Sequence, residues 1–139
     1  MVKIKKGILA ILYKKENKKI LYALFKRKEG WIGYEFLKGG KEANETDEQA
    51  LFREVKEEAS LSITSAIKSK YTYSFESKKN DELIRHELAV FYVKLSKDEI
   101  HIGPEHSEFG FYDYETVLRR LSFRTLKELF KKINAELLK

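Results

Sequence analysis

One segment constrains this chain more than any other. Residues 44–59 read as a helix in which Leu51, Val55 and Ala59 recur at the spacing of one helical face. Within it lies Arg53-Glu54-Val55-Lys56-Glu57-Glu58. At about 100° per residue, Glu57 falls about 60° to one side of Glu54 and Glu58 about 40° to the other. The three carboxylates therefore share one sector, next to the apolar edge. Thr46 or Asp47 is placed to cap the helix, and Glu48 adds negative charge to its first turn. Such a helix needs an apolar surface to lie on and a cation for its acids. Three acids at i, i+3 and i+4 repel one another unless positive charge sits among them. On an ordinary solvated face, water and nearby lysines provide it. A divalent cation does so too, and Mg²⁺ prefers carboxylate oxygens together with water and substrate phosphates.

The apolar surface comes from strands. Gly7–Tyr13 and Ile20–Phe25 are apolar runs of strand length, separated by the charged segment 14–19 with Asn17 at its turn. Four glycines between positions 30 and 40 predict a loop, with a short strand at Tyr34–Leu37. Two further strands are expected at Ile67–Phe75 and Leu83–Leu95, joined by a polar turn at Glu76–Asp81. A loop at His101–Ser107, a short strand at Glu108–Tyr112 and a short helix at Tyr114–Leu121 follow. A last helix, 123–138, has Ser122 at its cap position and Leu126, Leu129, Phe130, Ile133 and Leu137 along one face. The order β-β-loop-α-β-β-loop-α predicts a layered α/β (α+β) domain with a mixed sheet, one domain over residues 1–139.

Composition narrows the class. The chain has no cysteine, which excludes disulfides and thiolate metal sites. No apolar run reaches the roughly 20 residues of a membrane-spanning helix. With no signal-peptide pattern at Met1–Lys6, a cytoplasmic location is the expectation. The net charge of +6 suits polyanionic partners such as nucleotides or RNA, and equally suits a soluble, lysine-rich surface.

The residues around the acidic helix carry a resemblance. Gly39, Glu45 six positions on, Arg53-Glu54-Val55, Glu57-Glu58 and Leu61 resemble the 23-residue signature of the Nudix hydrolases, with eight of its nine defining places filled. Ser60 departs from it, standing where the family usually has a helix-ending glycine. The fold this implies is an α/β/α sandwich with a mixed sheet and a loop-helix-loop catalytic box. Tyr34-Glu35-Phe36-Leu37-Lys38-Gly39 looks like the Trp-x-Phe-Pro-Lys-Gly segment of relatives that cleave dinucleoside tetraphosphates, with Tyr34 for tryptophan and Leu37 for proline. Glu108-Phe109-Gly110-Phe111 and Leu121-Ser122-Phe123 are similar to the later parts of the same proteins.

The resemblance implies roles. Glu54, Glu57 and Glu58, with the Gly39 carbonyl, would bind one to three Mg²⁺ or Mn²⁺ ions. Glu57 or Glu58 would take the proton from the attacking water, and Glu108 is a further candidate base. Arg53 and Glu45 would support the box, because a guanidinium can orient a carboxylate bidentately; Glu45 and Glu57 are its candidate partners. Lys38 would face substrate phosphates. Tyr73 and Phe75 share a strand face, as do Phe109 and Phe111; these rings, with Tyr22 and Phe25, are either core or a platform for a nucleobase. His86 and His106 read as surface or packing residues. The implied activity is metal-dependent hydrolysis of a diphosphate linkage between a nucleoside and another group. The favoured substrate is diadenosine tetraphosphate, giving ATP and AMP. Nucleoside triphosphates, ADP-ribose or nucleotide sugars and RNA 5′ ends are the alternatives within the class. A non-catalytic nucleotide- or RNA-binding module is the alternative outside it, against which the complete set of box glutamates argues. A monomer or a homodimer is expected.

Overall fold

A computed structural model describes residues 2–30, 32–63, 65–96 and 100–138. Seven strands form one mixed sheet: β1 (Lys3–Glu16), β2 (Lys19–Arg27), β3 (Tyr34–Glu35), β4 (Leu37–Gly40), β5 (Ile67–Lys79), β6 (Glu82–Lys94) and β7 (His106–Tyr112). The helices are α1 (Asp47–Ala59), α2 (Tyr114–Arg120) and α3 (Arg124–Leu137). The main strand order is β3-β2-β1-β6-β5, with β4 paired to β1 and β7 paired to β2. β1 and β6 run parallel and the other pairs are antiparallel.

Alternation along β1 explains the layers. Ile8, Ala10 and Leu12 face one side of the sheet; Leu9, Ile11 and Tyr13 face the other. On the first side they meet Ala50, Leu51, Val55 and Ala59 of α1. On the second they meet Val117 of α2 and Leu126, Leu129, Phe130 and Ile133 of α3. The result is the expected α/β/α sandwich. β1 is buried on both faces through its middle, so it reads as an unbroken apolar run.

Several boundaries differ from the sequence reading. β1 and β2 extend into lysine-rich sequence, because their ends pair in a hairpin whose turn residues Asn17 and Lys18 both have positive φ. Asn80 and Asp81 do the same between β5 and β6. The helix begins at Asp47 rather than Asn44, whose φ of 71° is not helical. Thr46 is the cap: its hydroxyl accepts from the Gln49 amide, and its own amide donates to the Gln49 side chain. Ser122 does not cap α3; Phe123 holds the cap position without a side-chain bond. β7 starts at His106, inside the expected loop. Trp31, within the expected glycine-rich loop, lies outside the described residues.

Candidate active site

The site forms where β4 leaves β1 and the chain crosses to α1. Residues 38–45 of this crossing, the start of β1, α1, β5 and β6 line an open cleft of about 950 Å³. Gly39 lies beside Ile8 of β1 and directly under the Glu54 carboxyl. A Cβ at Gly39 would stand 2.1 Å from the Glu54 carboxyl carbon, so only glycine lets this carboxylate rest on the backbone. The sequence reading gave Gly39 a carbonyl ligand; the structure adds this steric reason for a glycine.

Arg53 organises the crossing. Its Nε and one terminal nitrogen donate to the two oxygens of Glu45 at 2.7 and 2.9 Å, a bidentate clamp. The same terminal nitrogen donates to the Gly40 carbonyl at 2.8 Å, and the other donates to Glu54 at 2.8 Å. Its approach to Glu57 is longer, 3.4 Å. Of the two expected partners, Glu45 is therefore the main one. Glu45 also accepts from the Glu42 amide at 2.7 Å. The Arg53 bond, with this second donor, holds its carboxyl down to about 2.

The three acids of α1 converge as their spacing requires. One ligand oxygen from each of Glu54, Glu57 and Glu58 lies within 4.8 Å of the others. Glu54 and Glu58 are buried, whereas Glu57 is exposed. Burial pushes the Glu54 carboxyl above the ordinary glutamate range, against the pull of Arg53. Burial also raises Glu58, helped by repulsion from Glu105 and Glu54. Glu58 Oε2 is buried without a hydrogen-bond partner. A buried carboxylate oxygen with no donor is costly, by about 1–3 kcal/mol or more. Hard oxygen donors, clustered negative charge and an unpartnered buried oxygen together fit a divalent cation.

The cleft also carries a cationic and aromatic lining. Lys5, Lys6, Lys38 and Lys41 line it with Phe75 and His86. The Phe75 and His86 rings stack with centroids 4.5 Å apart and planes 7° from parallel. The Lys38 ammonium lies 4.6 Å from the Phe75 centroid. Ser77 shares a hydrogen bond with His86 Nε2 at 2.8 Å and braces that ring.

The remaining expected residues lie elsewhere. The Tyr73 ring sits 5.9 Å from Phe75 but packs toward α3, and its hydroxyl pairs with Thr125 at 2.9 Å. Phe109 packs on Phe25 in the layer beneath α1, with Phe111 edge-on to it. Tyr22 and Phe25 are fully buried core. Glu108 pairs with Lys26 at 3.6 Å and accepts from the Tyr34 hydroxyl at 3.1 Å, away from the α1 acids. The later acid that lines the cleft is Glu105. Glu105, His86, Lys5, Lys6 and Lys41 were not singled out as site residues from the sequence. The one signal for Glu105 was its place in a loop after Gly103-Pro104.

Against this geometry the comparisons are specific about family. A model of the NUDIX domain matches residues 3–133. No curated protein matches the chain by sequence. Among solved structures, an Ap4A hydrolase from C. elegans in a binary complex is 18% identical, covering 96% of this chain and 98% of its own at a TM-score of 0.78. The E. coli dihydroneopterin triphosphate pyrophosphohydrolase is 20% identical, covering 94% and 96%, also at 0.78. The NUDIX domain of Shewanella oneidensis NrtR, complexed with ADP ribose, is 16% identical, covering 96% and 88% at 0.75. At these identities the likeness is one of fold, while the family model spans nearly the whole chain; the chain belongs to the Nudix family and is a Nudix hydrolase.

Proposed function

We propose that this enzyme hydrolyses a phosphoanhydride of a dinucleoside polyphosphate such as diadenosine tetraphosphate, releasing ATP and AMP, as a cytoplasmic catalyst contained in the domain over residues 1–139. The observation that carries the reading is the make-up of the site: three converging glutamates, of which Glu54 lines the cleft, together with four cleft lysines and a stacked Phe75–His86 pair. A substrate matched to these groups carries an extended run of phosphates and a flat base.

Glu54, Glu57 and Glu58, with the Gly39 carbonyl, would hold Mg²⁺ or Mn²⁺. Bound there, a divalent cation offsets phosphate charge and makes water a stronger nucleophile. The chain's own groups do the rest. Lys38 and its neighbouring lysines receive phosphate oxygens and steer a polyanion into the cleft. The Phe75–His86 pair offers a face for a base. As water attacks phosphorus, a new P–O bond forms, the anhydride P–O bond breaks and the leaving phosphate departs with the electron pair. A carboxylate oxygen of Glu57 or Glu58 accepts the water proton. Burial suits Glu58 to this by raising its basicity.

Product analysis with Mg²⁺ and a panel of diadenosine tetraphosphate, nucleoside triphosphates, ADP-ribose and 5′-triphosphorylated RNA tests the proposal. ATP and AMP from the first, abolished by chelator, is the expected result. Turnover of another member alone would overturn the substrate assignment. Binding without any turnover would overturn the catalytic roles given to these glutamates.

A further inference from the structure

Behind the acidic cluster lies a buried polar pair that the catalytic reading leaves unused. Glu35, on β3, and His106, at the start of β7, are 3% and 4% exposed. His106 Nε2 lies 2.9 Å from Glu35 Oε2. The other ring nitrogen, Nδ1, points at Glu58 Oε2 across 3.9 Å. Both of those facing atoms are buried and neither has a hydrogen-bond partner. Phe25 packs on the imidazole with ring centroids 5.3 Å apart. The far oxygen of Glu35 lies 3.6 Å from the Lys38 ammonium, while Arg27 stands 3.6 Å from the near one.

Buried polar groups are expensive, and a carboxylate beside an imidazole in an apolar layer needs a reason. Packing alone would be better served by apolar side chains. The line Lys38–Glu35–His106–Glu58 links the cleft lysine to the acidic cluster through the protein interior. Its members come from β4, β3, β7 and α1. The imidazole thus stands directly behind the Glu58 carboxylate and limits the directions it can turn.

We infer that Glu35 and His106 are positioning residues: His106, oriented by Glu35, sets the direction of the Glu58 carboxylate for divalent-cation binding and couples it to the side chain of Lys38. The inference rests on the role proposed above for Glu58. Residues standing behind a metal-binding carboxylate change metal affinity or turnover by about 10- to 100-fold when removed.

The test separates the two nitrogens of the ring. In His106→Gln, the amide reaches the place of Nε2 and keeps the bond to Glu35 while losing the group that faces Glu58. In His106→Asn, the amide stands near Nδ1 and faces Glu58 while losing Glu35. Mn²⁺ binding to the substrate-free protein is read from the electron paramagnetic resonance of free Mn²⁺. Melting temperature, kcat and KM are measured on the same samples. His106→Gln is expected to weaken Mn²⁺ binding about 10-fold or more and to lower kcat, with KM within about twofold. His106→Asn is expected to recover part of the Mn²⁺ affinity. Glu35→Gln is expected to shift both readouts in the same direction as His106→Gln. If the folded variants bind Mn²⁺ as tightly as the parent while Glu58→Gln does not, the positioning role is overturned and the Glu58 reading stands. If Glu58→Gln itself leaves Mn²⁺ binding and turnover unchanged, the Glu58 reading fails and this inference falls with it.

Discussion

Helices α1 and α3 are nearly the same length and lie on opposite faces of one sheet, yet they are held in different ways. All four buried residues of α3 are apolar: Leu126, Leu129, Phe130 and Ile133. It has no side-chain cap at its N-terminus and no acid in its first turn. Apolar packing holds it to the sheet, with hydrogen bonds from Tyr22 to Asn134 and between Tyr73 and Thr125. Two of the six buried residues of α1 are glutamates, Glu54 and Glu58. Around them stand a capping box, a bidentate arginine clamp and a left-handed C-terminal residue. Function enters this fold at the helix that buries charge. A helix that must bury repelling carboxylates is fastened at both ends by local bonds, whereas a helix that only covers a sheet needs no such fastening.

The largest effects are expected from one substitution in each helix. Glu57→Gln on α1 should lower kcat by roughly 100- to 10,000-fold, whether the carboxylate acts as ligand or as base. The melting temperature should stay or rise, because one repelling charge has gone from an exposed position. Phe130→Ala on α3 should do the reverse. Its ring is fully buried, edge-on to Tyr22 at 4.7 Å and against Tyr114 at 5.3 Å. Its loss should cost about 3–5 kcal/mol of stability. The remaining folded protein should turn over substrate nearly as before. Urea unfolding and steady-state kinetics on both variants decide it. Equal losses of stability and activity in both would dissolve the distinction.

The two helices were also unequally legible in sequence. Periodicity gave both, because a 3.6-residue apolar rhythm is a local property. The carboxylate cluster was legible too, since i, i+3 and i+4 spacing fixes it within one helix. The aromatic lining of the cleft was not. Phe75 and His86 meet because β5 and β6 pair in one register, and Glu35 reaches His106 because β3 and β7 both pair with β2. Such meetings depend on sheet order, which no local pattern encodes. Glu35 did carry a hint, as a lone acid between Tyr34 and Phe36. The hairpin ends were misjudged for a related reason: lysines at Lys3–Lys6 and Lys14–Lys15 read as turn or terminus, but cross-strand pairing extends β1 through them.

A gentler probe is pH. Glu54 and Glu58 sit above the ordinary glutamate value of 4.5, so the folded protein binds their protons more tightly than the unfolded chain. Metal-free stability from these groups is therefore full below 4.5 and falls as pH rises through their folded values. Glu45 works in the opposite sense. Its contribution is present above 4.5 and is lost as pH falls toward about 2. A divalent cation competes with the protons on α1. The rise in urea midpoint on adding Mg²⁺ should be large at pH 7.5 and shrink toward pH 5. Glu58→Gln should flatten that dependence, and Leu129→Ala on α3 should leave its shape alone. A Mg²⁺ effect independent of pH would place the cation away from these acids.

Removing the cap from α1 should have a smaller effect. Thr46→Ala deletes the hydroxyl that accepts from Gln49 and leaves an amide without its partner. The expected cost is about 1 kcal/mol. Phe123 at the start of α3 makes no side-chain cap bond, so Phe123→Ala should act only through its half-exposed ring. Denaturant midpoints of the two single variants compare the ends directly. Equal costs would mean that α1 draws no special support from its cap.

The smallest effect concerns the other end of α1. Ser60 departs from the family signature, which has glycine at this place, yet it adopts the conformation a glycine would have, with φ 58° and ψ 31°. Its amide donates to the Lys56 carbonyl at 3.0 Å and closes the last turn. A left-handed residue with a Cβ carries strain of roughly 1 kcal/mol. Here the hydroxyl donates to the His101 carbonyl at 3.2 Å and ties the helix end to the loop that leads to Glu105 and His106. That bond offsets about 0.5–1.5 kcal/mol. Ser60→Gly removes the strain and the bond together, so the net change in stability should stay within about 0.5 kcal/mol. Ser60→Ala keeps the strain and loses the bond, so it should be the worse variant by roughly 1 kcal/mol. Thermal melts of the pair would show whether the hydroxyl is what lets this helix end without glycine. If Ser60→Ala melts with the parent protein, the Ser60–His101 bond contributes nothing, and the turn is held by the backbone bond to Lys56 alone.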